Sequence, residues 1–345
     1  MSELNEVEQL SYDNFFANLD TLRLSPSALR LLLESPKLYY NDYVLGNKEQ
    51  KKGKHFDEGS LVHCMVLEPE NLKDRFVNMG IAAPSDSTKG CIDHLLALER
   101  SASELEEYFA EIVEYLQDIN LHQSLVDDKK PNKDGFMFTG DEKRVAKIVT
   151  DNTREYFRLM VDARDKVIVD SASWDKCFKK AQAILSNTKA LFLLKTTTDI
   201  QEVRYELELN SEGGSLLKYG IKGILDVIKV DRDTKTIYIS DVKTTNGLLK
   251  DFKTSAEKYD YWLQAAIYKM LANTLTSGNA FDYTVVFNFI VVDRNDDVYC
   301  FEATPETLEK WIEDAVELFN VKVDYHIKNK DFTLPYEFAN NLITL

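Results

Sequence analysis

No two of the four cysteines, Cys64, Cys91, Cys177 and Cys300, stand close together in the chain. Without a spaced pair the sequence suggests neither a zinc site nor a cysteine-held iron–sulfur cluster, and the thiols read as reduced cysteines of a cytoplasmic protein. No apolar run approaches the length of a bilayer span, and the first residues lack the basic-then-apolar pattern of a secretory signal, so no membrane association is expected. Basic residues are missing from two whole stretches. Residues 1–20 hold five acids (Glu3, Glu6, Glu8, Asp13, Asp20) and residues 101–118 hold six (Glu104, Glu106, Glu107, Glu111, Glu114, Asp118), with no Lys or Arg in either. Repeats and low-complexity tracts are absent too.

What is present is a chain of 345 residues, 44% apolar, long enough for a full core in one elaborated domain or two small ones. The formal charge of −16 is awkward for a partner made of phosphates, because such partners are held mainly by Lys and Arg. The distribution softens that objection: residues 215–258 carry nine Lys/Arg against six Asp/Glu, and Lys48, Lys51, Lys52 and Lys54 cluster just before His55. A basic channel on an acidic body is compatible with this pattern.

The basic stretch contains KYGIKGILDVIKVDRDTKTIYISDVKTT, residues 218–245. Two strand-like runs, 224–230 and 236–242, flank the polar turn Asp231-Arg232-Asp233-Thr234 and predict a β-hairpin. That hairpin brings Asp226 and Asp241 toward one end of a sheet. Lys243 falls on the same face as Asp241, because side chains alternate along a strand. Two close carboxylates repel unless a cation lies between them, and an oxygen-rich site suits Mg²⁺ or Mn²⁺. The same residues also describe an ordinary solvated sheet face.

Around the hairpin, residues 1–22 are expected to be an acidic, mobile N-terminus. Ser25-Pro26 starts a helix carrying Leu29, Leu32 and Leu33, and Ser35-Pro36 starts a second, short one. A helix through Leu67 places Gly59 and His63 four apart on one face, where His63 is either a packed histidine or a ligand. A helix near 102–120 has Leu105, Phe109, Ile112 and Leu116 inward and its acids outward. Further helices are expected at about 141–160, 172–194, 255–275 and 305–328. Strands are expected at 202–209, which would extend the hairpin to a meander, and at 281–292 and 298–301.

Taken together, four pieces in this order, LSPSALRLLLESPKLYY, FDEGSLVHCMVLEPENLKDRF, YGIKGILDVI…ISDVKTT and YDYWLQAAIYK, resemble the PD-(D/E)XK nuclease superfamily. Within it they look most like the phage-type exonuclease VIII (RecE-like) branch, related to lambda exonuclease and the RecB nuclease domain. WDKCFKKAQAILSNTKALFLL, leading into EVRYELEL, is similar to the helix and strand that precede that core. The resemblance spans most of residues 22–275 and departs from the pattern in the acidic segment 82–160. It implies an α/β restriction-endonuclease-like core at about 195–302, a mixed sheet flanked by helices, within a single domain 23–345 that carries N-terminal helices and a helical insertion at 82–160.

The resemblance also implies roles. His63, Asp226, Asp241 and the carbonyl of Val242 match metal ligands, and Lys243 matches the lysine that orients or activates the attacking water. Glu202 corresponds to the acid before the hairpin, a candidate outer or second-metal ligand, with one metal or two left open. Gln264 and Tyr268 match the pair that holds the DNA end and the scissile phosphate, with Lys222, Thr244 and Lys258 as further candidate DNA contacts. The activity implied is Mg²⁺- or Mn²⁺-dependent exonuclease digestion of linear duplex DNA, 5′→3′, leaving 3′ single strands for phage-type recombination. It would occur in the cytoplasm of a bacterium or phage-infected host. A ring-shaped homo-oligomer and a single-strand annealing partner are implied with it. The alternatives are an endonuclease or single-strand-specific nuclease of the same superfamily, and a non-catalytic DNA-end-binding module.

Overall fold

The structure is a computed structural model. It describes residues 4–48, 54–100, 105–118, 140–194, 200–209, 217–276, 283–340 and 342, with the side chains of 54–57, 140, 143, 200–209, 275 and 276 left undescribed. In chain order the strands are β1 (Arg23–Leu24), β2 (Phe76–Met79), β3 (Val167–Asp170), β4 (Ile200–Leu209), β5 (Gly220–Asp231), β6 (Thr236–Thr244), β7 (Thr284–Val292) and β8 (Val298–Ala303). The α-helices of seven or more residues are α1 (Glu6–Ala17), α2 (Pro26–Glu34), α3 (Lys54–Leu67), α4 (Asp86–Ala97), α5 (Phe109–Asp118), α6 (Gly140–Ile148), α7 (Asp151–Asp162), α8 (Ser171–Ser186), α9 (Thr188–Leu194), α10 (Phe252–Lys258), α11 (Tyr261–Ala272) and α12 (Pro305–Leu318). Their contacts divide the chain into two units, residues 1–69 with 177–345, and residues 70–176.

The first unit is mixed α/β, a central mixed sheet flanked by helices. The predicted hairpin forms its middle: β5 and β6 are antiparallel, β4 pairs antiparallel with β5, β6 pairs parallel with β7, and β8 closes the edge antiparallel to β7. The turn is built as its sequence suggests, with Asp231 Oδ1 accepting from the N–H groups of Asp233 (3.0 Å) and Thr234 (3.1 Å). Lys235 completes the reversal in the left-handed region (φ 51°).

One feature of the register decides where chemistry can occur. β4 runs along one edge of β5 from Leu209↔Ile221 to Ile200↔Val230. On the other edge β1 pairs with Gly220 and Ile221, and β6 pairs only from Val227↔Ser240 to Asp231↔Thr236. Between them β5 and β6 part, while β6 stays paired to β7 through Thr244. Asp226 and Asp241 are the first residues past the last rung. The sheet opens at these two aspartates.

The core lies between this sheet and helices α11 and α12. Ile237, Ile239, Phe287 and Phe289 pack with Leu263, Ala266, Ile267 and Leu271 of α11 and with Leu308, Ala315 and Leu318 of α12. Every residue of α11 from Ala265 to Ala272 is buried, as a helix apolar all round requires. Lys269 fits there because its ammonium is paired with Glu309 of α12. β7 is buried on both faces from Phe287 to Val292, as expected for an interior strand, with Asn288 its one polar residue there.

The expected single helix at 255–275 is two. Asp260 adopts a left-handed conformation (φ 50°), its carbonyl accepts from Leu263 N and its carboxylate from Trp262 Nε1 at 3.0 Å. Asn187 breaks the expected 172–194 helix by a different device, its Oδ1 capping Ala190 N at 3.0 Å. The 305–328 helix changes to a wider turn at Phe319–Val323 before resuming at Asp324–Asn329. Within the acidic first 22 residues α1 forms, closed by a reciprocal cap in which Asn5 and Glu8 each bond the other's backbone N–H at 3.0 Å.

The second unit packs α4, α5, α6 and α7 around Ile92, Leu95, Leu105, Ile112, Leu116, Tyr156 and Phe157. Phe109 belongs to the expected inward stripe but is exposed. β2 and β3 pair in parallel across about ninety intervening residues, too short and too far apart for periodicity to announce. Two of the acids expected to face outward hold arginines, Glu106 with Arg154 and Glu111 with Arg100 at 3.1 Å.

Candidate active site

At the opening of the sheet, Asp226 Oδ2 accepts the N–H of Val242 at 2.9 Å, so a side chain takes over where the backbone ladder stops. His63 approaches from α3, its Nδ1 3.5 Å from the same Asp226 oxygen. The next residue on β6, Asp241, is 1% exposed. Lys243 Nζ lies 2.7 Å from Asp241 Oδ2 and 3.0 Å from Gln264 Oε1. Gln264 Nε2 donates to Asp241 Oδ1 at 2.7 Å and to the Tyr268 hydroxyl at 3.0 Å. Gln264 and Tyr268 are one turn apart on α11, which the apolar core holds against the sheet.

Two glycines behave differently here. A Cβ on Gly223 would meet the Tyr268 ring at 2.8 Å and Leu271 at 3.0 Å, so only glycine lets that ring lie on β5. A Cβ on Gly59 would meet Thr244 Oγ1 at 3.7 Å, an ordinary contact, so the helix bearing His63 lies beside β6 without needing its glycine.

Burial pushes Asp241 up to about 6, and the charge of Asp226 adds to the effect, while Lys243 and His63 work against it. Burial alone would discharge Lys243, but Asp241 and Asp226 hold its pKa above the ordinary value, so it stands as an ammonium at neutral pH. Burial, with help from Asp241, raises the Tyr268 phenol far above its usual range. Asp241 Oδ2 faces the Lys243 ammonium at 2.7 Å, and among the described residues no other donor reaches it.

The donor chemistry at this point, two carboxylates and one imidazole, fits a hard divalent ion. Among the described residues no three His, Cys, Asp or Glu side chains already surround a common point.

An open cleft of about 870 Å³ leads to Lys243, with Arg30, Lys222, Tyr259, Tyr261, Gln264 and Tyr268 in its wall. Arg30 stacks over the Tyr259 ring at 5.7 Å, Tyr259 stacks on Tyr261, and Lys243 Nζ lies 4.8 Å from the Tyr261 centroid. Among the sequence-predicted contacts, Lys222 therefore joins the cleft. Lys258, the last residue of α10, sits over Tyr259 at 5.5 Å and is not part of the wall. Thr244 lines a separate small cavity of about 130 Å³ with Glu58, Val62 and Lys180. Glu202 pairs with Ile228, two residues along β5 from Asp226, and its side chain lies outside the described residues. Val242 meets the site through its N–H. Sequence reasoning overlooked Arg30, Tyr259, Tyr261 and Gly223. The aromatic spacing of YDYW and a glycine inside a strand were the available signals.

A family model for the PD-(D/E)XK nuclease superfamily matches residues 23–332. No curated protein matches the chain. Among solved structures, that of a presumed exonuclease from Eubacterium rectale is similar at 10% identity and a TM-score of 0.44, covering 100% of this chain and 95% of that one. With nine-tenths of its length inside the family match, the chain belongs to the PD-(D/E)XK nuclease superfamily.

Proposed function

We propose that this protein is a divalent-metal-dependent deoxyribonuclease that digests linear duplex DNA from its ends. The observation that carries the reading is the meeting of Asp226, Asp241 and Lys243 where β5 and β6 part. His63, Asp226, Asp241 and the carbonyl of Val242 would hold Mg²⁺ or Mn²⁺, with Glu202 as an outer ligand. The ion supplies Lewis acidity toward the phosphoryl oxygens and a bound water of lowered pKa. Lys243, held beside Asp241 and Gln264, would orient the attacking water and place a positive charge where negative charge develops on the phosphoryl group. Arg30 and Lys222 supply phosphate-seeking charge along the cleft, which an acidic chain needs at its working surface.

The direction of digestion, 5′→3′, and a role in making 3′ single strands for phage-type recombination rest on the RecE-like sequence pieces, as do a ring-shaped oligomer, an annealing partner and a cytoplasmic setting. A specific observation favours a second reading, a nuclease for unpaired strands: the cleft wall carries Tyr259 and Tyr261, and aromatic rings commonly stack unpaired bases. Digestion of end-labelled linear duplex, single strand and covalently closed circle with Mg²⁺ separates the readings. Shortening from the ends of duplex alone is expected. Equal cutting of the circle defeats the exonuclease assignment, and a preference for single strand selects the second reading.

A further inference from the structure

We infer that Gln264 is a positioning residue that aims Lys243 and Asp241, and that it does not itself grip DNA; the inference rests on the nuclease reading of the site. A carboxamide has two N–H donors on its nitrogen and an acceptor oxygen. Both donors of Gln264 are engaged within the protein, one by Asp241 Oδ1 at 2.7 Å and the other by the Tyr268 hydroxyl at 3.0 Å. Its oxygen accepts from Lys243 Nζ at 3.0 Å. No donor is left for a phosphate, whose oxygens only accept.

The chemistry also fixes which way the amide faces. Lys243 can only donate and an ionised Asp241 can only accept, so oxygen must face the ammonium and nitrogen the carboxylate. A planar group with an acceptor on one arm and donors on the other bridges these two opposite charges beside their direct contact of 2.7 Å. Glutamate offers two acceptors and would repel Asp241. Methionine offers neither function. The Tyr268 hydroxyl fixes the second N–H, and Gly223 gives the Tyr268 ring its place on the sheet. Lys243 has other neighbours, Asp241 and the face of Tyr261, but among the described residues only Gln264 spans the lysine and the far oxygen of the aspartate.

The test separates rate from affinity. Gln264→Met, Gln264→Glu and Tyr268→Phe are compared with wild type in kcat and KM on the preferred DNA, in DNA affinity measured by anisotropy with Ca²⁺ in place of Mg²⁺, and in melting temperature. Gln264→Met is expected to lose about 100-fold in kcat, with KM and the Ca²⁺-supported affinity within about threefold of wild type. Gln264→Glu, which keeps an acceptor for Lys243, falls between the two. Tyr268→Phe keeps both charged partners of the amide and loses about tenfold or less in kcat, again at unchanged affinity. Should Gln264→Met fold poorly, the Tyr268→Phe and Gln264→Glu pair carries the same split. An unchanged kcat with a weakened DNA affinity in these variants makes Gln264 a DNA contact and overturns the inference. So does wild-type kcat in Gln264→Met. Wild-type activity surviving in Asp241→Asn is a different failure, that of the nuclease site itself.

Discussion

Asp226 Oδ2 and the N–H of Val242, 2.9 Å apart, hold together two strands that have already stopped pairing. The bond gives Asp226 a structural task distinct from its charge, and the two tasks come apart on substitution. Asp226→Asn keeps an acceptor oxygen for Val242 and removes the negative charge. Asp226→Ala removes both and leaves a backbone N–H without its partner, which costs about 1–3 kcal/mol when the group is buried. Both variants should lose nuclease activity. Thermal melting should distinguish them, with Asp226→Asn close to wild type and Asp226→Ala clearly lower; equal melting of the two would mean that the bond contributes nothing to the fold.

Metal-free stability should carry the mark of Asp241. Burial raises its pKa from 3.8 to about 6, so between those values the folded chain retains a proton that the unfolded chain has released. The contribution is therefore present in full below pH 3.8 and is lost as the pH rises through about 6. Compared with Asp241→Asn, which cannot titrate there, wild type without metal should melt at progressively lower temperature as the pH climbs from about 4.5 to about 6.5. Saturating Mg²⁺ should oppose that trend, since the ion binds the carboxylate and not the acid. A wild-type-minus-variant difference that stays level across the range would show that Asp241 is not perturbed.

Two glycines, both present in the sequence motifs, should respond oppositely to alanine. Gly223→Ala drives a methyl to within 2.8 Å of the Tyr268 ring and 3.0 Å of Leu271, in a region where α11 is fully packed. Overpacking of this kind costs about 1–3 kcal/mol and shifts the ring that braces Gln264. Among the described residues Gly59→Ala meets nothing closer than 3.7 Å, and it lies inside a helix, where alanine is favoured over glycine by about 1 kcal/mol. Urea denaturation should show Gly223→Ala destabilised and Gly59→Ala equal to or more stable than wild type. A collapse of Gly59→Ala would point to a closer approach of β6 than the structure has.

The contrast between these glycines shows what a sequence reveals and what it leaves unstated. Period-two runs either side of Asp231-Arg232-Asp233-Thr234 were sufficient for the hairpin, and the D-x-K spacing for placing Asp241 beside Lys243, because both are local properties of one strand pair. The match of Gly59 and His63 at helical spacing put the imidazole on the right helix. What local pattern does not contain is the point at which β5 and β6 stop pairing, since that depends on β1 and β4 claiming the two edges of β5. For the same reason Arg30 and Tyr259, 229 positions apart in the chain, gave no joint signal. Asp260 reads as one more polar residue in a helical run until its left-handed backbone turns the chain and presents Tyr259 and Tyr261 to the same cleft.

That cleft makes the last prediction quantitative. Arg30 and Lys222 lie in its wall and Lys258 does not, although all three are basic and near in space to Tyr259 or β5. Each lysine or arginine that neutralises a phosphate adds about 0.9 to the steepness with which log affinity falls against log salt for duplex DNA. Arg30→Ala and Lys222→Ala should therefore each weaken Ca²⁺-supported DNA binding and flatten its salt dependence by about that amount. Lys258→Ala should leave the slope where it was. Arg30→Ala carries a further loss, because its guanidinium also covers the Tyr259 ring, so it should reduce affinity more than Lys222→Ala while changing the slope no more. If all three variants keep the wild-type slope, the DNA path does not run through this cleft, however well its far end is equipped for hydrolysis.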